Sequence, residues 1–471
     1  MMHPENTNFI YVNREMRTLS NIDYDITLLD WLRTNLKLKG TKEGCAEGDC
    51  GACSVLVHDG SNSEVRPINS CLVRVGQVVG KGVITVEGIG NEKKPHPLQT
   101  AFIKENASQC GYCTPGFIIS GISLLNSNKD VDENSINDAV SGNLCRCTGY
   151  SPIVKALKSV GNNHEEIKPI QFVEQNNDVQ LGLVSYHNPI NLDELLNLTN
   201  KPNFRYLAGG TDLNLQRPII NEDQNTIINL SNIKELKNIE VQNNKLLLGS
   251  AVTIENFLVT IKDRIPELIE LLQRFGSPQI RNQGTIGGNL CTSSPIGDIA
   301  PIFLALNAKL NIFGSNARKK VNLNEFYTGY RKNILTKDEI VSSIEVPLPK
   351  KDYNLFCWKL SKRYDQDIST ISLTVYIKIR DQIIDDIHLA AGGIAETPKY
   401  LDNLCKDMKG QKLDKSISFA INNIKNYIKP ISDIRGTADY RIESFRGLFR
   451  RLEKCLIDGV KTMSIMDYNN E

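Results

Sequence analysis

Short apolar runs alternate with polar breaks over the first ninety residues. Phe9-Ile10-Tyr11-Val12 reads as a strand. Thr27 is placed to cap a helix over Leu28-Leu29-Asp30-Trp31-Leu32-Arg33, whose apolar positions recur at helical spacing. Ser54-Val55-Leu56-Val57 reads as a second strand, ended by the turn pair Asp59-Gly60. Between the two, residues 44–53 are too rich in glycine for regular structure. From residue 97 to 160 the period becomes helical. Thr114-Pro115 sets a cap and first-turn proline before Phe117-Ile118-Ile119 and Ile122, Leu124 and Leu125. A short helix over 135–140 is stopped by Gly142, and Ser151-Pro152 opens another. Residues 160–182 are polar and irregular and read as a linker. Beyond 183 the pattern is mixed. It shows a strand over Phe204–Leu207 running into Gly209-Gly210, a hairpin over 239–248 about Asn243-Asn244, and a helix capped by Thr253. After about 350, strands and helices are expected to alternate up to a final helix near 444–456.

Composition narrows the class. A chain of 471 residues holds about three domains at roughly 100–200 residues each. Apolar content is 40% and net charge +1, so no field favours nucleic acid or a membrane surface. No run of about 18 apolar residues is present to span a bilayer. Residues 1–9 lack a basic stretch followed by an apolar core, so no signal peptide is expected and the cytoplasm is the expected location. Eight of the twelve cysteines precede residue 150. In a reducing compartment such clustering points to metal rather than to disulfides. The other four, Cys291, Cys357, Cys405 and Cys455, are scattered and read as structural.

The first cysteine set is Cys45, Cys50 and Cys53 in one glycine-rich loop, with Cys71 further on. This C-x4-C-x2-C…C spacing is that of plant-type [2Fe–2S] ferredoxins. A loop around a negatively charged cluster must come close and aim N–H groups at sulfur, which Gly44, Gly48 and Gly51 permit. The second set is C-x2-C at Cys110 and Cys113 with C-x-C at Cys145 and Cys147, on segments that a helical hairpin brings together. Zinc fits either set less well, because its sites favour separated C-x2-C pairs. A thioredoxin-like dithiol would need a βαβ context, which the pattern lacks.

Further along, Leu207-Ala208-Gly209-Gly210-Thr211-Asp212-Leu213-Asn214 follows a strand, and Gly284-Thr285-Ile286-Gly287-Gly288-Asn289 follows later. Glycine turns with free N–H groups bind anions such as a pyrophosphate, and two in one region favour a phosphate-bearing cofactor. Neither fits G-x-G-x-x-G, so a Rossmann dinucleotide site is excluded.

A ferredoxin-type set followed by C-G-Y-C-T-P-G and N-L-C-R-C-T-G-Y resembles the iron–sulfur part of the molybdenum hydroxylases, the family of xanthine dehydrogenase, aldehyde oxidase and carbon monoxide dehydrogenase. The resemblance covers residues 8 to about 160, and from about 183 onward the chain is similar to the family's flavin region. It implies an α+β multidomain fold with five parts. These are a plant-ferredoxin-like β-grasp domain over 1–90, a helical-bundle [2Fe–2S] domain over 91–165, a linker over 166–182, an α+β FAD-binding domain over 183–350, and a C-terminal α/β flavoprotein subdomain over 351–471.

By the same resemblance, Cys45, Cys50, Cys53 and Cys71 hold one cluster and Cys110, Cys113, Cys145 and Cys147 the other. Leu207, Ala208, Gly209, Gly210, Thr211, Asp212, Leu213 and Asn214, with Thr285, Ile286, Gly287, Gly288 and Asn289, wrap FAD. Phe275, Asp298, Val341 and Lys359 fall at further FAD-contacting positions. From its residue type alone, Asp298 is open to a packing role and Lys359, a lone lysine on a strand, to a solvated one. Gly329-Tyr330-Arg331-Lys332 and the segment Lys359–Ser369 resemble the xanthine dehydrogenase branch, the latter resembling a segment that in that family lies near the flavin where NAD⁺ binds.

The family also carries a molybdopterin region. Because the sequence ends at Glu471, that region is expected on a separate large subunit, in a heterotetramer or larger assembly, with no nucleic-acid or membrane partner. The chain is thus expected to be an electron-transfer subunit, with redox chemistry carried by its cofactors and no catalytic side chain. The rivals are the same role toward an aldehyde or N-heteroaromatic compound, a stand-alone flavin and iron–sulfur reductase, and a zinc-binding adaptor.

Overall fold

The computed structural model describes residues 8–60, 64–127, 130–161, 166–169, 178–199, 203–221, 223–315 and 318–460. The chain divides into two compact units. The first comprises Met1–Lys237, Thr253–Asn256 and Gly276–Thr285, and the second Asn238–Val252, Phe257–Phe275 and Ile286–Glu471.

The first unit begins with β1 (Phe9–Val12), β2 (Glu15–Thr18), β3 (Ser54–His58), β4 (Arg66–Asn69) and β5 (Gly82–Ile84), in the sheet order β2-β1-β5-β3-β4. β1 pairs with β5 in parallel and all other pairs are antiparallel. The crossing helix α1 (Leu28–Thr34) is capped by Thr27, whose hydroxyl accepts from Asp30 N. Its Leu28, Trp31 and Leu32 are buried against Ile10, Val55 and Val57. Each such side chain contributes roughly 1.5–3 kcal/mol on burial. This is the expected β-grasp arrangement.

Four helices follow: α2 (Pro97–Lys104), α3 (Thr114–Leu125), α4 (Glu133–Val140) and α5 (Ser151–Val160). Phe102, Phe117, Ile122, Ile136 and Leu157 form their shared core. Two ends differ from expectation. Cys113, not Thr114, is the residue before α3, and Thr114 is its first helical residue. α4 starts earlier than Ser135, because the Asp132 side chain accepts from Ser135 N and caps it.

The unit closes with β6 (Val179–Leu181), β7 (Val184–His187), β8 (Phe204–Leu207) and β9 (Thr226–Asn229), in the order β6-β7-β9-β8. Of the span expected as linker, residues 162–165 and 170–177 lie outside the described residues, but 179–181 is a strand. Val179 and Leu181 are buried and pair with Tyr186 and Val184, so the sheet starts before residue 182.

The second unit holds an antiparallel sheet of β10 (Ile239–Gln242), β11 (Lys245–Gly249), β12 (Lys309–Phe313), β13 (Arg318–Asn322) and β16 (Ile340–Pro347), in the order β10-β11-β16-β12-β13. The hairpin β14 (Tyr327–Gly329) and β15 (Lys332–Asn333) precedes β16. The β10–β11 turn is made by Asn243 and Asn244, both at positive φ, as the Asn-Asn pair predicts. A second antiparallel sheet joins β17 (Asn354–Leu360), β18 (Ile371–Arg380), β19 (Ile383–Gly392) and β20 (Lys399–Tyr400). Helices Asp402–Met408, Leu413–Asn423 and Ala438–Leu456 come after it. The expected alternation beyond 350 is therefore absent: strands come first and helices after. Leu373, Val375, Ile377 and Leu389 share one core with Phe445, Phe449 and Leu452. The last helix begins six residues before Ser444, capped by the Thr437 hydroxyl.

Candidate redox-cofactor sites

The loop between α1 and β3 bends back on itself, with Gly48 at φ +87° and Gly51 at φ +65°. It carries Cys45, Cys50 and Cys53, and Cys71 faces it from the turn Ser70–Leu72 that follows β4. Cys53 Sγ lies 3.4 Å from Cys71 Sγ. Cys45 is within hydrogen-bond reach of both Cys50 and Cys71. Three backbone N–H groups donate to Cys45 Sγ: Glu47 at 3.5 Å, Asp49 at 3.3 Å and Cys50 at 3.3 Å. Hydrogen bonds from Cys50, Cys71 and these amides hold the Cys45 thiol far below its ordinary range. Cys50 and Cys71, which share protons with it, are raised. A sulfur stabilised as a thiolate by peptide N–H groups is what a cysteine-held cluster requires.

The second set sits at helix starts. Cys113 immediately precedes α3 and Cys110 the turn before it, while Cys145 and Cys147 lie in the loop leading to α5. Cys110 pairs with Cys147, and Cys113 with Cys145. Burial pushes the Cys113 thiol up to about 12. Burial also acts to raise Cys145, but the Thr148 hydroxyl at 3.1 Å and the Thr148 N–H at 3.4 Å outweigh it and bring the thiol down. The positive ends of two helices add to the stabilisation of negative charge here. Cys110 and Cys147 are exposed, whereas Cys53 and Cys71 are buried. Leu144 N, one residue before Cys145, donates to Cys50 O at 3.0 Å and joins the two sets.

Among the described residues no three His, Cys, Asp or Glu side chains converge as the ligands of a single metal ion. Within each set the sulfurs lie within reach of one another, as the ligands of one cysteine-held cluster must.

The expected flavin residues fall in both units. In the first, β8 runs into Gly209 and Gly210, the latter at φ +77°. A Cβ on Gly209 would stand 1.9 Å from Gln283 O, so glycine is needed for the two loops to touch. Thr211 lies beside Gly284, and Thr285 bridges to Thr253. Asn214 is buried. Its Nδ2 donates to Leu72 O at 2.7 Å and to Gln77 Oε1 at 2.7 Å, while its Oδ1 is buried without a partner. Gln283 Oε1 is likewise buried and unpaired. Leu207 is buried and Asp212 exposed, with Ala208 and Leu213 between those extremes.

In the second unit Ile286, Gly287, Gly288 and Asn289 lie on the helix Ile286–Cys291. Gly287 N donates to Ser250 O at 2.8 Å, and a Cβ on Gly287 would stand 2.5 Å from Ser250 Cβ. Asn289 Oδ1 is also buried without a partner. In either unit, a buried amide oxygen without a partner is an acceptor that a hydroxyl donor of a bound cofactor would satisfy.

Lys359 is not solvated as its residue type suggests. It is 5% exposed on β17, and its Nζ donates to Asp298 Oδ2 at 2.7 Å and to Arg274 O at 3.1 Å. Ser369 Oγ donates to the other Asp298 oxygen. Val341 is buried on β16, and Phe275, just beyond the helix Ile269–Gln273, is half-buried. Arg274 binds the carbonyls of Lys359 and Tyr364 and the Ser361 hydroxyl, and lies over the Tyr364 ring at 4.6 Å. Neither Arg274 nor Gln77 was signalled by any local motif, because their partners lie 85 and 137 residues away. Of the four scattered cysteines, burial raises all, and holds Cys291, Cys357 and Cys405 at about 12.

Four family models match the chain in order. They are a 2Fe-2S iron–sulfur cluster binding domain over 10–76, a [2Fe-2S] binding domain over 85–158, the FAD binding domain in molybdopterin dehydrogenase over 179–349, and a CO dehydrogenase flavoprotein C-terminal domain over 356–455. The chain is 29% identical over 477 residues to the xanthine dehydrogenase of Drosophila pseudoobscura pseudoobscura, covering 86% of this chain and 36% of that protein. To xanthine dehydrogenase 1 of Arabidopsis thaliana it is 30% identical over 473 residues, covering 82% and 35%. It therefore spans about a third of the length of these curated relatives. Among solved structures, carbon monoxide dehydrogenase from Oligotropha carboxidovorans shares the fold over 58% of this chain and 97% of its own, at TM-score 0.53 and 24% identity. Quinoline 2-oxidoreductase from Pseudomonas putida 86 shares it over 60% and 100%, at TM-score 0.54 and 21% identity.

Proposed function

The chain belongs to the molybdenum hydroxylase family as an iron–sulfur and FAD component, and from that premise we propose that it is the electron-transfer subunit of a xanthine dehydrogenase. In this reading Cys110, Cys113, Cys145 and Cys147 would hold the cluster nearer a molybdenum cofactor on a partner chain, where a purine would be oxidised, and Cys45, Cys50, Cys53 and Cys71 would hold the cluster nearer FAD, with NAD⁺ as the final acceptor. When bound, the clusters supply one-electron steps and the flavin a two-electron hydride exchange. The chain's own residues hold, insulate and space these groups.

The observation that carries the reading is the Leu144 N–H to Cys50 O hydrogen bond of 3.0 Å. It makes the two cysteine sets neighbours, with Cys110 and Cys147 of one set exposed and Cys53 and Cys71 of the other buried. The identities with xanthine dehydrogenases favour a purine over an aldehyde or an N-heteroaromatic substrate. NAD⁺ as acceptor is supported by the segment Lys359–Ser369, which Arg274 clamps through its contacts to Lys359, Ser361 and Tyr364.

The test is purification from a native source. A larger molybdopterin-containing chain is expected to accompany this one, and the assembly to oxidise hypoxanthine with NAD⁺ and to neglect nicotinate and aldehydes. Metal analysis is expected to give about four irons per chain for two [2Fe–2S] sites. Zinc in place of iron, or turnover confined to nicotinate or an aldehyde, would reject the assignment.

A further inference from the structure

The helix Pro278–Arg281 is only four residues long, yet it reaches both cysteine sets. Gln279 has no exposed surface. Its Nε2 donates toward three oxygens, Ser54 Oγ at 3.2 Å, Ser120 Oγ at 3.0 Å and Asn143 Oδ1 at 3.2 Å. Each partner stands close to the ligands. Ser54 follows Cys53, Asn143 is two residues before Cys145, and Ser120 lies on the helix that Cys113 precedes.

The protons of these partners are already committed. Ser54 Oγ donates to Gly51 O at 2.7 Å, Ser120 Oγ to Asn143 Oδ1 at 2.6 Å, and Asn143 Nδ2 to Gly51 O at 3.1 Å. Three oxygens therefore converge with lone pairs alone, and the two N–H bonds of the Gln279 amide, one shared between two acceptors, are the donors set among them. The backbone around them leaves no slack. A Cβ on Gly51 would stand 2.1 Å from Gly142 O, one on Gly116 2.3 Å from Gly51 O, and one on Gly142 2.0 Å from Gln279 Oε1. Gly142 is thus not the left-handed helix stop that its position suggests. It is not among the glycines at positive φ, and it is small because the Gln279 amide occupies the space. The neighbours of Gln279 fix the helix at both ends of this seam. Ile280 packs with Cys53, Cys71 and Leu72, and fully buried Arg281 pairs with Glu255 at 2.7 Å and Asp138 at 3.0 Å.

We infer that Gln279 is a positioning residue that sets the separation of the two clusters, so that a segment of the flavin-binding region controls electron passage between them. The inference rests on the electron-transfer reading above. Electron passage falls steeply with distance, and the Gln279 amide ties Ser54, the α3 helix and the Cys145 loop together at a single nitrogen.

The experiment uses full-length protein with Gln279→Glu and Gln279→Leu. Iron and flavin content are measured first. The spin–spin coupling of the two reduced clusters is then measured by EPR, together with the rate of electron equilibration between them after flash reduction. Both variants are expected to keep both cluster signals, with altered coupling and slower equilibration. Gln279→Glu is expected to be the more severe, because it keeps the volume and puts a further acceptor among three acceptors. A residue that only fills space would give the reverse order, and that order, or unchanged coupling in both variants, would overturn the inference. If Gln279→Glu fails to load its clusters, Gln279→Leu decides alone. Failure of both to take up iron would assign Gln279 to folding and overturn it as well. Wild-type protein without two [2Fe–2S] signals would instead reject the reading beneath it.

Discussion

At the residue scale, the two cysteine sets are separate in sequence and joined by one backbone hydrogen bond. Cys50→Ser is expected to remove the ferredoxin-type EPR signal and leave the other, and Cys145→Ser to do the converse. Loss of both signals from either change would show that the sets do not hold independent clusters. The pair Lys359–Asp298 is a second residue-scale device, with side chains 2% and 6% exposed. Asp298→Ala leaves a buried ammonium without its counter-ion, and such a loss costs about 3–5 kcal/mol. The urea midpoint of the second unit is expected to fall accordingly. Replacing both members by apolar residues of similar volume, Lys359→Met with Asp298→Leu, is expected to cost less than Asp298→Ala alone, since no buried charge remains.

At the element scale, the sheet β17–β20 shows how packing outside any motif produces measurable electrostatics. Burial opposes ionisation of Asp386 on β19, but hydrogen bonds from Lys409 and Tyr353 and the charges of His388 and Lys409 outweigh it and bring its carboxyl down to about 2. A carboxyl lower in the folded than in the unfolded chain stabilises fully above its unfolded value of 3.8 and loses that contribution as pH falls toward 2. Thermal unfolding of the second unit is therefore expected to weaken between about pH 4 and pH 2, and Asp386→Asn to flatten that part of the profile. An identical acid profile in the variant would remove Asp386 from the account. The elements themselves were read unevenly from sequence. β1, α1, β3, α5, β8 and the Asn243-Asn244 hairpin follow from short-range signals, namely a cap, a turn pair or a period. β6 was missed because a three-residue strand carries no period of its own. It is a strand because Val179 and Leu181 find β7 and the core. The order of strands and helices after 350 was also misread, since local propensity marks elements without fixing their sequence.

At the whole-molecule scale, the proposed division of labour makes a direct test. This chain alone is expected to pass electrons from NADH to a dye at its flavin and to leave hypoxanthine untouched. In the assembled enzyme, Cys113→Ser is expected to preserve NADH-to-dye activity while halting substrate-to-NAD⁺ flow. Purine oxidation by the chain alone would overturn the proposal, as would full substrate-to-NAD⁺ turnover in an assembly shown to lack the helical-domain cluster. Among the described residues no helix is long and apolar enough to cross a membrane.

The cysteine spacing and the glycine loops were legible in the sequence because the chemistry proposed for them is local. A cluster loop needs its cysteines and glycines within a few residues, and an anion-binding turn needs its glycines adjacent. Composition likewise limited the chain to a multidomain protein with ordinary cores. The sequence did not determine which distant side chains pack against those and neighbouring segments. Gln279 reaches residues 136 to 225 positions away, Asn214 reaches Leu72 across 142, and Lys359 finds Asp298 across 61. Such contacts leave no periodic or spacing signal, because a buried hydrogen bond constrains two positions in space and none between them along the chain. Lys359 shows the consequence most plainly. By type a strand lysine belongs in water, and only the fold, by placing a carboxylate and a carbonyl against its ammonium, makes burial the lower-energy state.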